Sequence, residues 1–385
     1  MKTISFQNII SPIAIDEFKS RYWGKKHFFV SRSAPEFYTN LLALKDIDFI
    51  INNVNHRYTK AVKLDQTVTS NGFESSDNIE ILMESFNQGA SLIFNSLEKS
   101  WMPLRRLCSE TYKAIPVCKS VFSNVYFTPR NSQAFDRHID YQDTLILQLE
   151  GSKIWRLYET LYPNPLDQGQ CNEADEIIQT AKLIDEIHLN AGDVLYVPRG
   201  TPHEVVTVDE QSLHITLSMI SFTYFDVMAE AIAKVKSGSE DIRKNVSWDF
   251  FNERFDAKKL YDILENALNS SIDDITAGFA KKAAGKELSN YLDYFVNHKH
   301  IDKIAIDTTL AINSSANYSL RFDDSQVIIE TKYSDFQIDN NSIDVRFMIS
   351  SESFSVSNLP GIDTNDEKLE FVKDLAKAGI IIVVK

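Results

Sequence analysis

The feature that most constrains this chain is a pair of motifs 65 positions apart: His138-Ile139-Asp140, and the His203 that ends the run GDVLYVPRGTPH at 192–203. On a β-strand, residues i and i+2 share a face, so His138 and Asp140 would point the same way. A fold that brings His203 alongside them gathers two imidazoles and one carboxylate on one side of a metal. Such a facial set leaves other coordination positions open, as non-haem Fe(II) needs in order to hold a cosubstrate and dioxygen together. A bare H-x-D occurs by chance in many chains, so its setting decides.

That setting is rich in strand signals. The run NVYFTP at 124–129 precedes the motif, and LQLEGSKIWRLY at 147–158 follows it. Their β-branched and aromatic enrichment predicts strands, and Gly151-Ser152 between two apolar runs predicts a hairpin. Residues 187–198 predict a further strand with an Ala-Gly-Asp turn inside it. The run SLHITLS at 212–218 predicts another, with small polar residues on alternate positions. Several short strands of this kind predict an α+β chain built on a jelly-roll or cupin-type barrel, with the metal in its mouth.

These residues resemble the JmjC-type Fe(II)/2-oxoglutarate oxygenases of the ribosomal-oxygenase group. The resemblance rests on 124–129, NSQAF at 131–135, His138-x-Asp140, 147–158, 192–203 and 212–218, and DEFKSRYWGKK at 16–26 is similar to that group's opening helix. The C-terminal third is similar only in length and element order. The resemblance implies a double-stranded β-helix (jelly-roll/cupin, JmjC-type) domain over 1–221, a helical dimerisation domain over 222–300 and a winged-helix-like domain over 301–385. It also implies that His138, Asp140 and His203 bind Fe(II). Lys153 would hold the distal carboxylate of 2-oxoglutarate with Ser218 as a helper hydroxyl, and Asn124 and Tyr126 would line the cavity beside the substrate. The chemistry agrees: a lysine buried in a barrel needs a partner for its charge, and a dicarboxylate supplies one. Three positions depart from the group's pattern. Ile139 stands where an aromatic is common, Arg137 where a proline or small residue is expected, and Thr144 where an apolar residue is common.

Other candidates have plainer readings. His214 shares the parity of Ser212, Thr216 and Ser218 and could compete with His203 as third ligand, but a hydrogen-bonded barrel histidine is the expectation. His188 reads as structural or exposed. His27, His56, His298 and His300 have no partners at ligand spacing, and His298-x-His300 fits a helix end. Asp136 reads as solvent-facing, and Asp143 as facing solvent or substrate.

Composition excludes several classes. Three cysteines (Cys108, Cys118, Cys171) with no C-x-x-C argue against a disulfide framework or structural zinc, and for reduced thiols in a cytosol. The first residues lack the apolar core of a secretory signal, and no apolar run approaches the length of a membrane span. A net charge of −14 disfavours direct binding to nucleic acid and suits a basic protein or peptide. Residues 301–385 carry fourteen acids against eight bases, which argues against groove reading by a winged helix.

Downstream of 221 the pattern turns helical: Phe225, Met228, Ile232 and Val235 recur at helical spacing, as do Leu260, Ile263, Leu264 and Leu268, with a break at 237–241. Strands are expected again at 319–322, 327–331 and 353–357, then a helix over 365–378 and a strand at 380–384. The expected activity is an Fe(II)- and 2-oxoglutarate-dependent protein hydroxylase, using dioxygen and forming succinate and carbon dioxide. By resemblance the substrate is a ribosomal protein, with histidine or arginine modified, and lysine rather than arginine at 153 favours the histidine branch. Two rivals remain: an oxygenase of a biosynthetic peptide or small molecule, and a cupin-type scaffold that holds a metal without turnover.

Overall fold

Chain contacts divide the molecule into two units, Met1–Ser221 and Phe222–Lys385. The computed structural model describes residues 4–53, 59–64, 66–68, 78–238, 240–245, 257–269 and 294–384, apart from 314, 315, 317, 323, 324, 332 and 333.

The first unit is a two-sheet barrel. Its strands are β1 (Phe28–Val30), β2 (Thr59–Lys63), β3 (Gln66–Val68), β4 (Ser91–Phe94), β5 (Cys118–Thr128), β6 (Asp143–Glu150), β7 (Ser152–Tyr158), β8 (Leu183–Asn190), β9 (Val194–Val197), β10 (His203–Val206) and β11 (Ser212–Ser221). The larger sheet runs β1-β9-β6-β11-β5-β4-β2-β3 and the smaller β10-β7-β8, all antiparallel. One part of the space between them is filled by Ile146, Leu195 and Val197 from the larger sheet against Trp155, Leu157, Ile187 and Leu189 from the smaller. Burying each such side chain is worth about 1.5–3 kcal/mol, enough to hold the sheets face to face. The rest of that space is open. The larger sheet's other face is covered by the helix Met102–Ala114 along β5 and by Phe18, Trp23 and Phe28 packed around Tyr196.

The predicted hairpin at Gly151-Ser152 is a correction. β6 pairs with β9 and β11 while β7 pairs with β8 and β10, so the chain changes sheets at Gly151 instead of folding back on itself. Gly151 has φ +63, and a Cβ there would lie 1.9 Å from the carbonyl oxygen of Gln211. The predicted single strand at 187–198 is likewise two strands in different sheets, and the corner is Gly192, at φ +91 with a would-be Cβ 2.2 Å from the Ala34 carbonyl. Both corners need glycine for the same reason: a left-handed backbone pressed against another segment.

The second unit combines helices Tyr224–Gly238, Ala257–Asn269 and Tyr294–His298 with β12 (Leu310–Ile312), β13 (Ser319–Phe322), β14 (Gln326–Glu330), β15 (Asp335–Asp339) and β16 (Ile381–Val383). β13-β14-β15 form one antiparallel sheet and β12-β16 a ribbon. The helix Asn365–Lys377 opens on a capping box, the Thr364 hydroxyl accepting from Glu367 N and Glu367 Oε2 accepting from Thr364 N. Its Val372 and Leu375 pack on Ile301, Leu310, Ile329, Met348 and Ile381. The strand expected at 353–357 is not one. Phe354 makes a lone bridge to Leu310, and a 3-10 turn, Val356–Asn358, follows. Serines there satisfy one another locally, Ser355 and Ser357 hydroxyls lying 2.9 Å apart, which competes with a ladder.

On the helix Tyr224–Gly238, Phe225, Met228 and Ile232 form an exposed apolar stripe, 61%, 57% and 59% accessible, beside Tyr224 at 89%. On Ala257–Asn269, Leu264 and Leu268 are half-buried. The side chains of Val235, Leu260 and Ile263, and all of His56, lie outside the described residues.

Candidate metal centre

Strand parity builds the site. β5 turns Asn124, Tyr126 and Thr128 towards the gap between the sheets, β7 turns Lys153 and Trp155, and β11 turns His214, Thr216 and Ser218. Except for Thr128, these residues line a cavity of about 690 Å³, together with His138, Asp140 and His203.

His138 and His203 are pinned to each other through the backbone. Each donates its N–H to the other's carbonyl, at 3.1 and 2.9 Å, in an isolated antiparallel bridge. Their rings lie 4.4 Å apart, and Nε2 of His203 is 3.9 Å from Oδ2 of Asp140. One ligand-capable atom from each of the three lies within 4.8 Å of the others. Both Nδ1 atoms are engaged, that of His138 with Asp136 O at 2.7 Å and that of His203 with Thr201 O at 3.0 Å. A carbonyl can only accept, so each Nδ1 carries the proton and each Nε2 offers a lone pair. Burial, and then the neighbouring His138, push the His203 imidazole down to about 4, so it is neutral at physiological pH. The donor set therefore fits a divalent cation with open positions.

Deeper in the barrel, Lys153 is buried and its Nζ donates to Thr128 Oγ1 at 2.9 Å. Among the described residues it forms no ion pair, and burial lowers its amine to about 7. Ser218 Oγ, fully buried in the cavity wall, has no hydrogen-bond partner, nor has His214 Nδ1. A lone buried cation beside unpartnered polar atoms is the complement of a small carboxylate ligand.

His214 stands outside the three clustered donors, in line with expectation. Its Nδ1 has no hydrogen-bond partner, and its ring lies parallel on the Tyr126 ring, 4.7 Å away at 3°. Burial and the Lys153 charge lower its pKa, so it stays neutral. Asp143 is a correction of a different kind. It starts β6 with the parity opposite to Thr144, so it faces away from the cavity, 2% exposed, and accepts from the Tyr196 hydroxyl at 2.5 Å. Asp136 is exposed at the cavity mouth. His188 is exposed, and His27 pairs with Asp185 at 3.1 Å. Asn124 lines the wall with Oδ1 accepting from Ser96 N at 3.0 Å.

Several residues at the site carried no motif. Gln168, Cys171, Asn172, Asp175 and Glu176 reach the mouth from two short helices, Gln168–Glu173 and Asp175–Ile178, and Gln179 from just after the second; Trp155, within the 147–158 run, stacks on His203 at 5.6 Å. Thr128 could have been found: it continues the i, i+2 series of Asn124 and Tyr126.

Known proteins are similar to this chain in sequence and in fold. Residues 101–227 match the family model described as JmjC domain. The bifunctional lysine-specific demethylase and histidyl-hydroxylase NO66 of Drosophila yakuba is 35% identical over 223 residues, 55% of this chain and 32% of that protein. Its Dictyostelium discoideum counterpart is 31% identical over 231 residues, 58% of this chain and 44% of that protein. The chain thus spans a third to under half of the length of these curated relatives. Among solved structures, the Escherichia coli ribosomal oxygenase YcfD superposes over 97% of this chain and 99% of its own, with TM-score 0.58 and 13% identity, and a further YcfD structure is a complex with cobalt and 2-oxoglutarate. At that identity the likeness establishes the fold. Residues 101–227 are thus similar in sequence to JmjC domains, and the chain is similar in fold to YcfD.

Proposed function

We propose that this chain is an Fe(II)- and 2-oxoglutarate-dependent dioxygenase that hydroxylates a protein side chain. The observation that carries the reading is the pairing of His138, Asp140 and His203 with an unpaired, buried Lys153 in one cavity. The three ligands would hold Fe(II), which when bound supplies the redox chemistry that couples oxidative decarboxylation of 2-oxoglutarate to C–H hydroxylation by dioxygen. The protein's own residues do the rest. Lys153 grips the distal carboxylate, with Thr128 and Ser218 completing its hydrogen bonds. Tyr126, flat on His214, and Asn124, fixed by the Ser96 amide, form a rigid wall that orients the incoming side chain.

The substrate we infer is a basic protein, a ribosomal protein with a target histidine or arginine. The names of the NO66 and YcfD relatives support it, as does the net charge of −14, which attracts basic partners and repels nucleic acid. Among the described residues no helix is long and apolar enough to cross a membrane; we place the activity in the cytoplasm. Ribosomal proteins from cells with and without the chain, compared by intact-protein mass spectrometry, are expected to differ by one oxygen atom on one protein. Loss of a methyl group instead would redirect the reading to demethylation. Succinate formed with no mass change on any protein would favour a peptide or small-molecule substrate, and no succinate at all a scaffold.

The three-part division at 221 and 300 and a homodimer built on the second part belong to the same proposal. The exposed stripe Phe225, Met228 and Ile232 supports it, since a lone helix face this apolar is commonly covered by a two-fold copy. Light scattering should give twice the mass of one chain, and Phe225→Glu with Met228→Glu should halve it. A monomer at every concentration in the unmodified protein removes the dimer.

A further inference from the structure

Arg137, one of the departures from the family pattern, precedes the ligand His138 and belongs to a connected set of contacts outside the three ligands. Its guanidinium lies over the Tyr158 ring, 3.6 Å from the centroid. Its Nη1 donates to Gln179 O at 3.0 Å and reaches Ala181 O at 3.4 Å, while Gln179 Nε2 donates back to Arg137 O at 3.0 Å. Tyr158 in turn grips the residues on both sides of the other histidine. Its amide N–H donates to Pro202 O at 2.9 Å, and its hydroxyl to Glu204 Oε1 at 2.5 Å. Arg156 adds an ion pair to Glu204 at 3.7 Å.

The path runs from His138 through Arg137, Tyr158 and Glu204 back to His203, parallel to the backbone bridge that joins the two ligands directly. The bridge and the Gly200 N–H donated to Asp140 O at 2.9 Å hold the two segments together through the main chain, and β10 is laddered to β7. A side-chain connection outside these bonds adds a further constraint on how far the two imidazoles can spread or tilt. We propose that Arg137, Tyr158 and Glu204 form a bracket that sets the spacing of His138 and His203, which makes Arg137 a positioning residue for the metal centre. The inference rests on the reading of His138, Asp140 and His203 as ligands. It also ties the mouth to the metal: Gln179 closes the insert that carries Asp175 and Glu176, so the same guanidinium holds the insert and the ligand segment.

The competing explanation is that Arg137 merely fastens the insert. Co(II) titration followed by its visible absorption, with the thermal midpoint of the metal-free protein measured alongside, separates the two. A bracket predicts that Arg137→Ala weakens Co(II) binding about tenfold, the effect usual for groups that orient metal ligands. Tyr158→Phe keeps the ring under the guanidinium but cuts the Glu204 link, and should weaken Co(II) comparably while leaving the insert fastened. The double variant should lose little more than either single one, because both cut one path. Arg137→Lys keeps the charge without the planar stack or the fork and should fall between wild type and Arg137→Ala. Co(II) affinity within twofold of wild type in Arg137→Ala overturns the bracket, even if the thermal midpoint falls. If Arg137→Ala does not fold, Tyr158→Phe decides alone, and unchanged Co(II) affinity there overturns it too. A wild-type chain that takes up no Co(II) overturns the ligand reading and the bracket together; a wild type that binds while both single variants bind equally well overturns the bracket only.

Discussion

Replacing His138, Asp140 or His203 by alanine is expected to weaken divalent-metal binding by at least ~100-fold and to remove succinate formation with it. Groups that only orient a ligand already account for roughly 10–100-fold, and removing a ligand itself breaks the facial set. The folded state should survive. His203 is buried and held neutral, so its removal deletes a polar ring and no buried charge. His138 and Asp140 are only half-buried. The expectation is thus a metal-free protein of near-normal thermal midpoint that has lost its metal. His214→Ala is the control. It faces the same cavity, yet its ring is committed to Tyr126 and it stands outside the cluster of three. Should His203→Ala retain its metal while His214→Ala loses it, the third ligand is His214.

The clustering of His138, Asp140 and His203 was legible from spacing and one register. The i, i+2 strand rule paired His138 with Asp140, although His138 makes only a lone bridge and Asp140 lies outside the strands. His203 needed its strand brought alongside, which the reciprocal bridge between His138 and His203 achieves. Lys153 was legible for the same reason: a lysine alternating with the apolar Trp155 and Leu157 on one strand face has to enter the barrel. Asp143 shows the limit of reading by proximity to a motif. It lies three residues from Asp140, but one step of strand parity turns it to the opposite face, into the Tyr196 cluster.

What stayed hidden is tertiary. A glycine between two apolar runs is compatible with a hairpin and with a corner between sheets, and nothing within 144–158 distinguishes them. The choice at Gly151 is made by Gln211, some sixty residues away, whose carbonyl crowds the position. The mouth is hidden for a similar reason. Gln168, Asn172, Asp175 and Glu176 look like ordinary solvated helix residues, and it is tertiary contact, Arg137 with Gln179 and Ile139 packed on Cys171, Ala174 and Ile178, that fastens their insert to the His138–Asp140 segment.

Lys153→Ala is expected to raise the 2-oxoglutarate requirement by on the order of 100-fold, equivalent to about 3 kcal/mol, while metal affinity stays within a few-fold of wild type. The size follows from what the ligand would lose: a charge-assisted bond inside a barrel, where water cannot replace it. The pH dependence is a separate expectation with a definite sign. In the free protein burial lowers the Lys153 amine to about 7, and Thr128, its hydrogen-bond partner, brings no counter-charge. A bound dicarboxylate favours the ammonium form, so binding takes up a proton wherever the free amine has lost it. Affinity for 2-oxoglutarate should therefore be level well below pH 7 and fall as pH rises through and above it, approaching tenfold per unit until the amine of the complex itself titrates. Lys153→Arg separates charge from titration. A guanidinium stays protonated throughout, so that variant should bind with little slope between pH 7 and 9, whatever its absolute affinity. Calorimetric titration with 2-oxoglutarate, using a redox-inert divalent metal to prevent turnover, reads both quantities. An unchanged affinity in folded Lys153→Ala removes this residue from the cosubstrate site; an equal slope in wild type and Lys153→Arg assigns the titration to another group.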